Sequence, residues 1–374
     1  MHDSALNALQ TQTDTVLALG FAMAIGLGWV IQRSHFCTMG AISDWLFMRD
    51  DTRLRQWALA LVVGMLGFAG LSSLGWLSPL QTIYAVPRFP WLSYLLGGAV
   101  FGVGMVLASG CPTKNLVRLG GGSLKALVVL LVMGMTALAT LRGAPGLLRV
   151  RLIDPMTAGA DSGPFIGQWL AAATGWTTPT AMLALAAAVS LLLLVWVFRD
   201  RAFWRASNLL AGLGVGLSLL AAWGISGVVG FVPEHPETLE SVFLATGSGR
   251  MEGLSFTGPV AQWLDAFLYS ADGGKRATFG MALAPGVVLG AALAAITQRN
   301  FRWEGFTRTS DLARHLAGGA CMGFGGVSAM GCTFGKGLTG LSTLNWGSLV
   351  AVAAMVASAW LTLRVQWWLA ERHG

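Results

Sequence analysis

Charged residues are scarce in this chain of 374 residues. Asp, Glu, Lys and Arg make up 11% of it, which is about half of the roughly 25% found in soluble globular domains. Apolar residues, counted as Ala, Val, Ile, Leu, Met, Phe, Trp, Tyr and Cys, make up 55%, and the mean hydropathy is +0.64. So apolar a chain cannot cover a water-facing surface, which excludes an ordinary soluble enzyme, a disordered region and a nucleic-acid-binding module. The composition predicts an integral membrane protein.

Cysteine is also scarce. The chain has 4 cysteines and no C-x-x-C motif, which excludes a secreted disulfide framework and gives no sign of a zinc site or a thioredoxin-like redox pair. No cofactor or metal is predicted. Lys and Arg are absent from the first 14 residues, so the basic region of a cleaved signal peptide is missing and we expect the first apolar segment to be retained.

The apolar residues form segments of the length that crosses a bilayer, which is about 20 residues in a helix. They predict an all-α integral membrane protein of about nine transmembrane helices, with short re-entrant and interfacial helices between them. The predicted spans lie near 15–32, 57–77, 91–110, 122–141, 181–198, 208–231, 280–297, 314–331 and 346–363.

The distribution of Lys and Arg predicts the orientation. An odd number of spans puts the termini on opposite sides, and an outside N-terminus leaves 16 of the 24 basic residues on the cytoplasmic side, as the positive-inside rule requires. Two long connections, 142–180 and 232–279, then lie outside the cytoplasm. In the second, Trp263, Leu264, Phe267 and Leu268 have the spacing of a short interfacial helix, although a helix packed on the protein has the same spacing.

An internal repeat is the strongest pattern in the sequence. Residues 95–111, LLGGAVFGVGMVLASGC, match residues 316–332, LAGGACMGFGGVSAMGC, at ten of seventeen positions without a gap. With the predicted spans, the two copies cross the membrane in opposite directions. We therefore expect a single transmembrane domain, 1–374, built from inverted repeats of approximately 15–141 and 208–363, an architecture typical of transporters and channels.

Each copy of the repeat ends in Gly-Cys, at Gly110–Cys111 and Gly331–Cys332, and a polar segment follows. Irregular backbone at membrane depth is tolerated only inside the protein or along a cavity. We therefore predict two helix breaks, made by these glycines, that carry thiols to the axis of a pathway. Cys37 has a similar setting after the first span, and its counterpart in the second half is expected near residues 224–227, where no Cys occurs.

These motifs resemble those of the YeeE/YedE family of bacterial sulfur-compound transporters. The resemblance rests on Ser34-His-Phe-Cys37, on Gly110-Cys111-Pro-Thr with Arg118-Leu-Gly-Gly-Gly behind it, and on Gly331-Cys332-Thr with Gly337-Leu-Thr-Gly behind it. It implies an inner-membrane, hourglass-shaped carrier of thiosulfate with Cys37, Cys111 and Cys332 along the path. In an inner membrane, the orientation predicted above gives a multi-pass protein with a periplasmic N-terminus, a cytoplasmic C-terminus and contact with membrane lipid. Some relatives are fused to, or work with, a small cytoplasmic sulfur-relay protein of the TusA type, so the resemblance also implies such a partner.

The chemistry of these residues suits the implied substrate. Thiosulfate carries three hard oxygens and one soft sulfur, which a neutral thiol engages weakly enough to release. Its oxygens need donors, for which we name backbone N–H groups at the helix breaks. Candidate assisting side chains are Thr113, Asn115, Thr333, Lys114 and Lys336. Both lysines are expected to be solvated, so the path should be almost free of fixed cations.

Other interpretations share part of this pattern. A carrier of a related sulfur or selenium compound has the same sequence features, and a membrane thiol–disulfide electron-transfer protein also uses intramembrane cysteines. A purely structural membrane protein does not explain two broken helices that both end in Cys. Cys321 is interpreted as a small buried apolar residue, and no role is assigned to His35.

Overall fold

The computed structural model describes residues 2–159, 163–236, 238–270 and 276–373. These residues fold mainly into helices, as the fold class predicted from the sequence requires. The α-helices in chain order are α1 (His2–Ser34), α2 (Thr38–Phe47), α3 (Thr52–Ser73), α4 (Trp91–Leu107), α5 (Pro112–Gly120), α6 (Leu124–Arg142), α7 (Ala144–Leu148), α8 (Ile166–Thr174), α9 (Thr178–Phe198), α10 (Ala206–Gly224), α11 (Thr257–Leu268), α12 (Phe279–Thr297), α13 (Thr309–Ser328) and α14 (Trp346–His373).

Shorter elements join these helices. Three segments form π-helices, Arg149–Ile153, Ile225–Val229 and Thr333–Gly340. Two 3₁₀-helices cover Pro79–Gln81 and Arg201–Trp204. Strands β1 (Phe231–Val232) and β2 (Val242–Phe243) form a short antiparallel hairpin.

Eight helices of the described residues are long and apolar enough to cross a membrane. They coincide with eight of the nine predicted spans, so the prediction of nine exceeds by one the helices that qualify on length and composition. The exception is α13, whose first turns carry Asp311, Arg314 and His315 and whose later turns are rich in glycine. Such residues lower the mean hydropathy of a segment that nevertheless packs between α4 and α6.

Helix ends differ from the predicted spans because polar residues continue a helix without a hydropathy signal. α1 begins at His2, well before residue 15, and α14 continues to His373, beyond residue 363. The two predicted connections contain α7 and α8, and α11, respectively. In α11 the side chain of Phe267 is 80% exposed and that of Ala261 is buried, so one face is free for the membrane interface.

The long helices pack in two groups, one of α1, α3, α10 and α12 and the other of α4, α6, α13 and α14. α1 packs against α12 and α3 packs against α10, while α4 lies between α13 and α14. Small residues let the backbones approach, as is usual when lipid supplies no hydrophobic drive between helices. A Cβ atom at Gly28 or Gly290, for example, would overlap the backbone of the opposite helix.

The contact between α4 and α13 is reciprocal with respect to the sequence repeat. Gly97 of α4 lies on the backbone of Ala329, just after α13, and Gly318 of α13 lies on the backbone of Ala108, just after α4. Gly97 matches Gly318 in the repeat, and Ala108 matches Ala329. The other close contacts at this crossing are Gly104 with Met322 and Gly325 with Phe101. They are related by the repeat in the same way, because Gly104 matches Gly325 and Phe101 matches Met322. The two helices are therefore antiparallel, and each end of α4 lies beside the opposite end of α13.

This crossing defines two ends of the molecule. At the Tyr84 end, the start of α4 lies near residues 344–346, where the Asn345 amide donates to the backbone oxygens of Tyr84 and Pro164. At the Arg118 end, the loop after α5 is hydrogen-bonded to the segment before α13, through Leu124 N–H to the carbonyl of Glu304 (2.9 Å).

Candidate functional site

Three cysteines each occupy the N-cap of a short helix. Cys37 caps α2, and its sulfur accepts a hydrogen bond from the backbone N–H of Gly40 (3.3 Å). Cys332 caps the π-helix Thr333–Gly340 in the same way, with Gly335 N–H as the donor (3.4 Å). Cys111 caps α5, with Pro112 in the first turn. Because a helix start carries free N–H groups and partial positive charge, each thiol lies beside donors suited to an anion.

The helix breaks before Cys111 and Cys332 have the same backbone geometry. Ser109 and Met330 have φ of 54° and 58°, and the glycines after them, Gly110 and Gly331, have φ of 158° and 151°. Side chains are strained at such positive φ values, which explains the glycine in each copy. The chain thereby leaves α4 or α13, turns sharply and starts a new short helix inside the protein.

The three thiols lie near one another. The Cys111 thiol is adjacent to the Thr333 side chain and the backbone amide of Lys114, and it lies within electrostatic range of Cys37 and Cys332. Cys111 and Cys332 are 1% and 0% exposed, respectively, and Cys37 is half-buried. The fold thus brings together three cysteines, each more than 70 positions from the next in the sequence.

Buried hydroxyl groups without hydrogen-bond partners surround these thiols. Thr113, Thr333 and Thr38 each have an Oγ1 atom that is buried and unpaired, and so is Oδ1 of Asn115. The other amide atom of Asn115 donates to the carbonyl of Gly110 (2.9 Å), which fixes the side chain. Leaving a buried polar group unpaired costs about 1–3 kcal/mol, so such a concentration indicates a place where a polar ligand or water binds.

Thr38 was missed by sequence reasoning, although a signal for it exists. It directly follows Cys37 as Thr333 directly follows Cys332.

A fourth helix start meets the same region. Phe256 precedes α11, and the hydroxyl of Thr257 in its first turn is buried and unpaired. The ring of Phe256 contacts that of Phe334 at 5.8 Å between centroids, and Phe36, next to Cys37, contacts the same ring at 5.9 Å. The fourth start therefore carries an aromatic residue where the other three carry a thiol. The sequence predicts this segment near residues 224–227, but those residues continue α10 as a π-helix.

The two candidate lysines lie on opposite sides of the thiols. Lys114 is half-buried at the Arg118 end, near Arg53, Arg118 and Cys37. Lys336 is 1% exposed, and its ammonium lies over the rings of Tyr94 (4.2 Å) and Tyr84 (5.1 Å).

The expectation that both lysines are solvated is therefore wrong for Lys336. Each lysine nevertheless packs against the glycine of its own helix break. A Cβ atom added at Gly110 would lie 3.1 Å from Cγ of Lys114, and one added at Gly331 would lie 3.1 Å from Cγ of Lys336. Lys336 is one residue farther from its cysteine, and the wider π-helix absorbs the extra residue.

Ion pairs link the loops at the Arg118 end. Lys125 contacts Glu304 (3.2 Å) and Asp311 (2.9 Å), and Arg118 lies 3.8 Å from Glu304. The hydrogen bond from Lys125 lowers the pKa of the partly exposed Asp311 carboxyl, although desolvation opposes the shift. These contacts tie the segment after α5 to the start of α13.

A cavity of about 360 Å³ opens at the Tyr84 end. Its walls include Tyr84, Tyr94, Arg88, Asn345 and Trp346. Tyr84 lies within electrostatic range of Cys332, so this wall of the cavity adjoins the thiols. Cys321, by contrast, is half-buried within α13 and faces Gly104 of α4, away from the breaks.

The chain is similar to known proteins over nearly its whole length. The chain is 28% identical over 347 residues to the thiosulfate transporter TsuA of Escherichia coli K12, covering 89% of this chain and 90% of that protein. It is 27% identical over 362 residues to the thiosulfate transporter TsuA of Spirochaeta thermophila, covering 92% and 96%. A shorter match, 32% over 104 residues, relates 27% of the chain to 24% of the probable transporter YedE of E. coli K12. A family model described as sulphur transport matches residues 33–361, and the chain therefore belongs to the sulphur transport family, as its resemblance to YeeE/YedE proteins predicts.

Proposed function

We propose that this protein takes up thiosulfate across the bacterial inner membrane and passes it along Cys332, Cys111 and Cys37. The observation that carries the proposal is the convergence of three short helix starts, each capped by a cysteine and surrounded by unpaired buried hydroxyls. Two relatives that cover nearly the whole chain carry the name thiosulfate transporter.

The site chemistry matches the two ends of the ion. A neutral thiol is a weak donor and its sulfur is polarizable, so it engages the terminal sulfur of thiosulfate without holding it. Backbone N–H groups of the helix starts and the hydroxyls of Thr113 and Thr333 serve the oxygens. Asn115 assists indirectly, because its amide group donates to the carbonyls of Gly110 (2.9 Å) and Cys111 (3.1 Å) and so holds the helix break in place. Several modest sites in series allow release at each step, whereas one deep basic pocket retains a dianion.

The reciprocal contacts between α4 and α13 support an inverted-repeat domain, with repeats of approximately 15–141 and 208–363. In the proposed orientation the Tyr84 end faces the periplasm, because the Arg118 end has the denser set of Arg and Lys. The N-terminus is then periplasmic, the C-terminus cytoplasmic, and connections 142–180 and 232–279 are extracytoplasmic.

The protein acts as a carrier and not as an enzyme in this proposal. Thiosulfate leaves at the Arg118 end unchanged, where a small cytoplasmic sulfur-relay protein of the TusA type is the partner that the family resemblance implies. Membrane lipid contacts the apolar outer faces, such as that of α9, where Leu191 and Leu192 are largely exposed.

Growth tests the proposal. A bacterium that lacks sulfate uptake is given thiosulfate as its only sulfur source and carries the wild-type chain or a single Cys→Ala variant at Cys37, Cys111 or Cys332. We expect growth with the wild type and strongly reduced growth with each variant at matched expression. Cys321→Ala is the control, because its thiol lies away from the breaks, and it should grow as wild type. Equal growth with wild type and Cys111→Ala at matched expression would refute the thiol pathway.

A further inference from the structure

Lys336 is a buried lysine without a matching carboxylate among the described residues. It is 1% exposed, and among the described residues no carboxylate oxygen is recorded within ion-pair distance of it. Its cationic contacts are the faces of Tyr94 and Tyr84, at 4.2 and 5.1 Å. Burying a charge without a counter-ion costs several kcal/mol, and two such aromatic contacts, worth about 0.5–2 kcal/mol each, offset only part of that cost.

The position of Lys336 relates it to both the cavity and the thiols. It lies in the π-helix that Cys332 caps, four residues after that cysteine. The two rings that cover its ammonium are walls of the 360 Å³ cavity at the Tyr84 end, which Arg88 also lines. The Tyr84 hydroxyl donates to the backbone oxygen of Gly335, next to Lys336, which holds this ring on the start of the π-helix.

We propose that Lys336 is an anion-binding station that receives the oxyanion end of the substrate from the cavity before the thiols engage its sulfur. The proposal rests on the thiosulfate pathway above and adds a second selection step to it. The ammonium gives up its contact with the tyrosine rings and forms a charge-assisted pair with the sulfonate oxygens, which is stronger in a site that excludes water. A small divalent oxyanion is then selected by charge at Lys336 and by its soft sulfur at the cysteines.

This two-step selection has a specific consequence for sulfate. Sulfate has the same charge and oxyanion geometry as thiosulfate but lacks the terminal sulfur. It should bind at Lys336 and compete with thiosulfate without being transported. A pathway that selects by thiols alone predicts no such competition.

The test compares Lys336→Met with wild type. Methionine keeps an unbranched apolar side chain and removes the charge, and Lys336→Arg keeps the charge. Lys125→Met is the matched control, since it removes one lysine charge at the opposite end. Initial rates of radiolabelled thiosulfate uptake are measured in cells at matched expression, with and without excess sulfate.

We expect Lys336→Met to raise KM for thiosulfate at least tenfold and to abolish competition by sulfate. Lys336→Arg should retain competition, and Lys125→Met should keep the wild-type KM and competition at matched expression. Unchanged KM and unchanged competition in Lys336→Met would overturn the proposal.

A stability measurement separates this role from a structural one. Because the buried charge is uncompensated, its removal should leave the melting temperature of the purified protein unchanged or raised, while the stabilisation of wild type by added thiosulfate or sulfate is lost. A parallel fall in melting temperature and uptake would instead mark Lys336 as structural. If wild-type cells take up no thiosulfate, the proposed function fails, and the same anion-induced stabilisation still decides whether Lys336 binds an oxyanion.

Discussion

Replacing Gly331 by alanine tests how the helix break holds Cys332. The φ of Gly331 is 151°, in a region that essentially only glycine adopts, and forcing another residue there costs about 1–3 kcal/mol. The added Cβ would also lie 3.1 Å from both Cγ and the backbone nitrogen of Lys336. Relief of this contact displaces the start of the π-helix and, with it, the Cys332 cap.

We therefore expect Gly331→Ala to lower the melting temperature of the purified protein and to reduce thiosulfate uptake at matched expression. If the displaced cap raises the free-energy barrier to transport by about 1.4 kcal/mol, the rate falls about tenfold. Gly70→Ala is the control, because Gly70 lies within α3 and, apart from its own stretch of helix, nothing lies within 4 Å of its Cβ position. Alanine there should be neutral or stabilising, by up to about 1 kcal/mol. If Gly331→Ala melts and transports as Gly70→Ala does, the break does not need glycine and the reasoning is wrong.

Two further predictions concern the Arg118 end and the helix crossing. The folded-state pKa of Asp311 lies below its ordinary value, so its pair with Lys125 stabilises the protein at neutral pH and is lost as the pH falls below about 4. Melting curves between pH 7 and pH 3 should accordingly show a smaller acid-induced loss for Asp311→Asn than for wild type, and equal losses would contradict the pair's role. Gly104→Ala and Gly325→Ala should lower the melting temperature by similar amounts, because each adds a Cβ to the backbone of the opposite helix at reciprocal positions. Strongly unequal effects would argue against the inverted repeat.

Much of the fold could be predicted from the sequence because apolar runs of about 20 residues have few alternatives to membrane helices. The exceptions have a physical cause. α13 carries polar residues in its first turns and small residues after them, so hydropathy does not rank it with the eight apolar helices. The polar ends of α1 and α14 keep their helical hydrogen bonds but do not raise the hydropathy, so the predicted spans stop short of the true helix ends.

In the candidate site, too, some residues could be predicted from the sequence and others could not. Cys111 and Cys332 stand out because a glycine break precedes each thiol in both copies of one repeat. The burial of Lys336 could not be predicted, because the rings that cover it come from residues more than 240 positions earlier in the chain. Phe256 could not be predicted for a related reason. Its segment has no cysteine to mark it, and only the fold places Phe256 and Phe36, the neighbour of Cys37, beside Phe334.

The most direct measurement is the flux of radiolabelled thiosulfate into liposomes that contain the purified protein alone. The account predicts uptake by wild type and by Cys321→Ala, and a fall of at least tenfold in the initial rate for Cys111→Ala at the same protein density. Wild-type liposomes that accumulate no more thiosulfate than protein-free liposomes, or a Cys111→Ala rate equal to that of wild type, would contradict the thiol pathway.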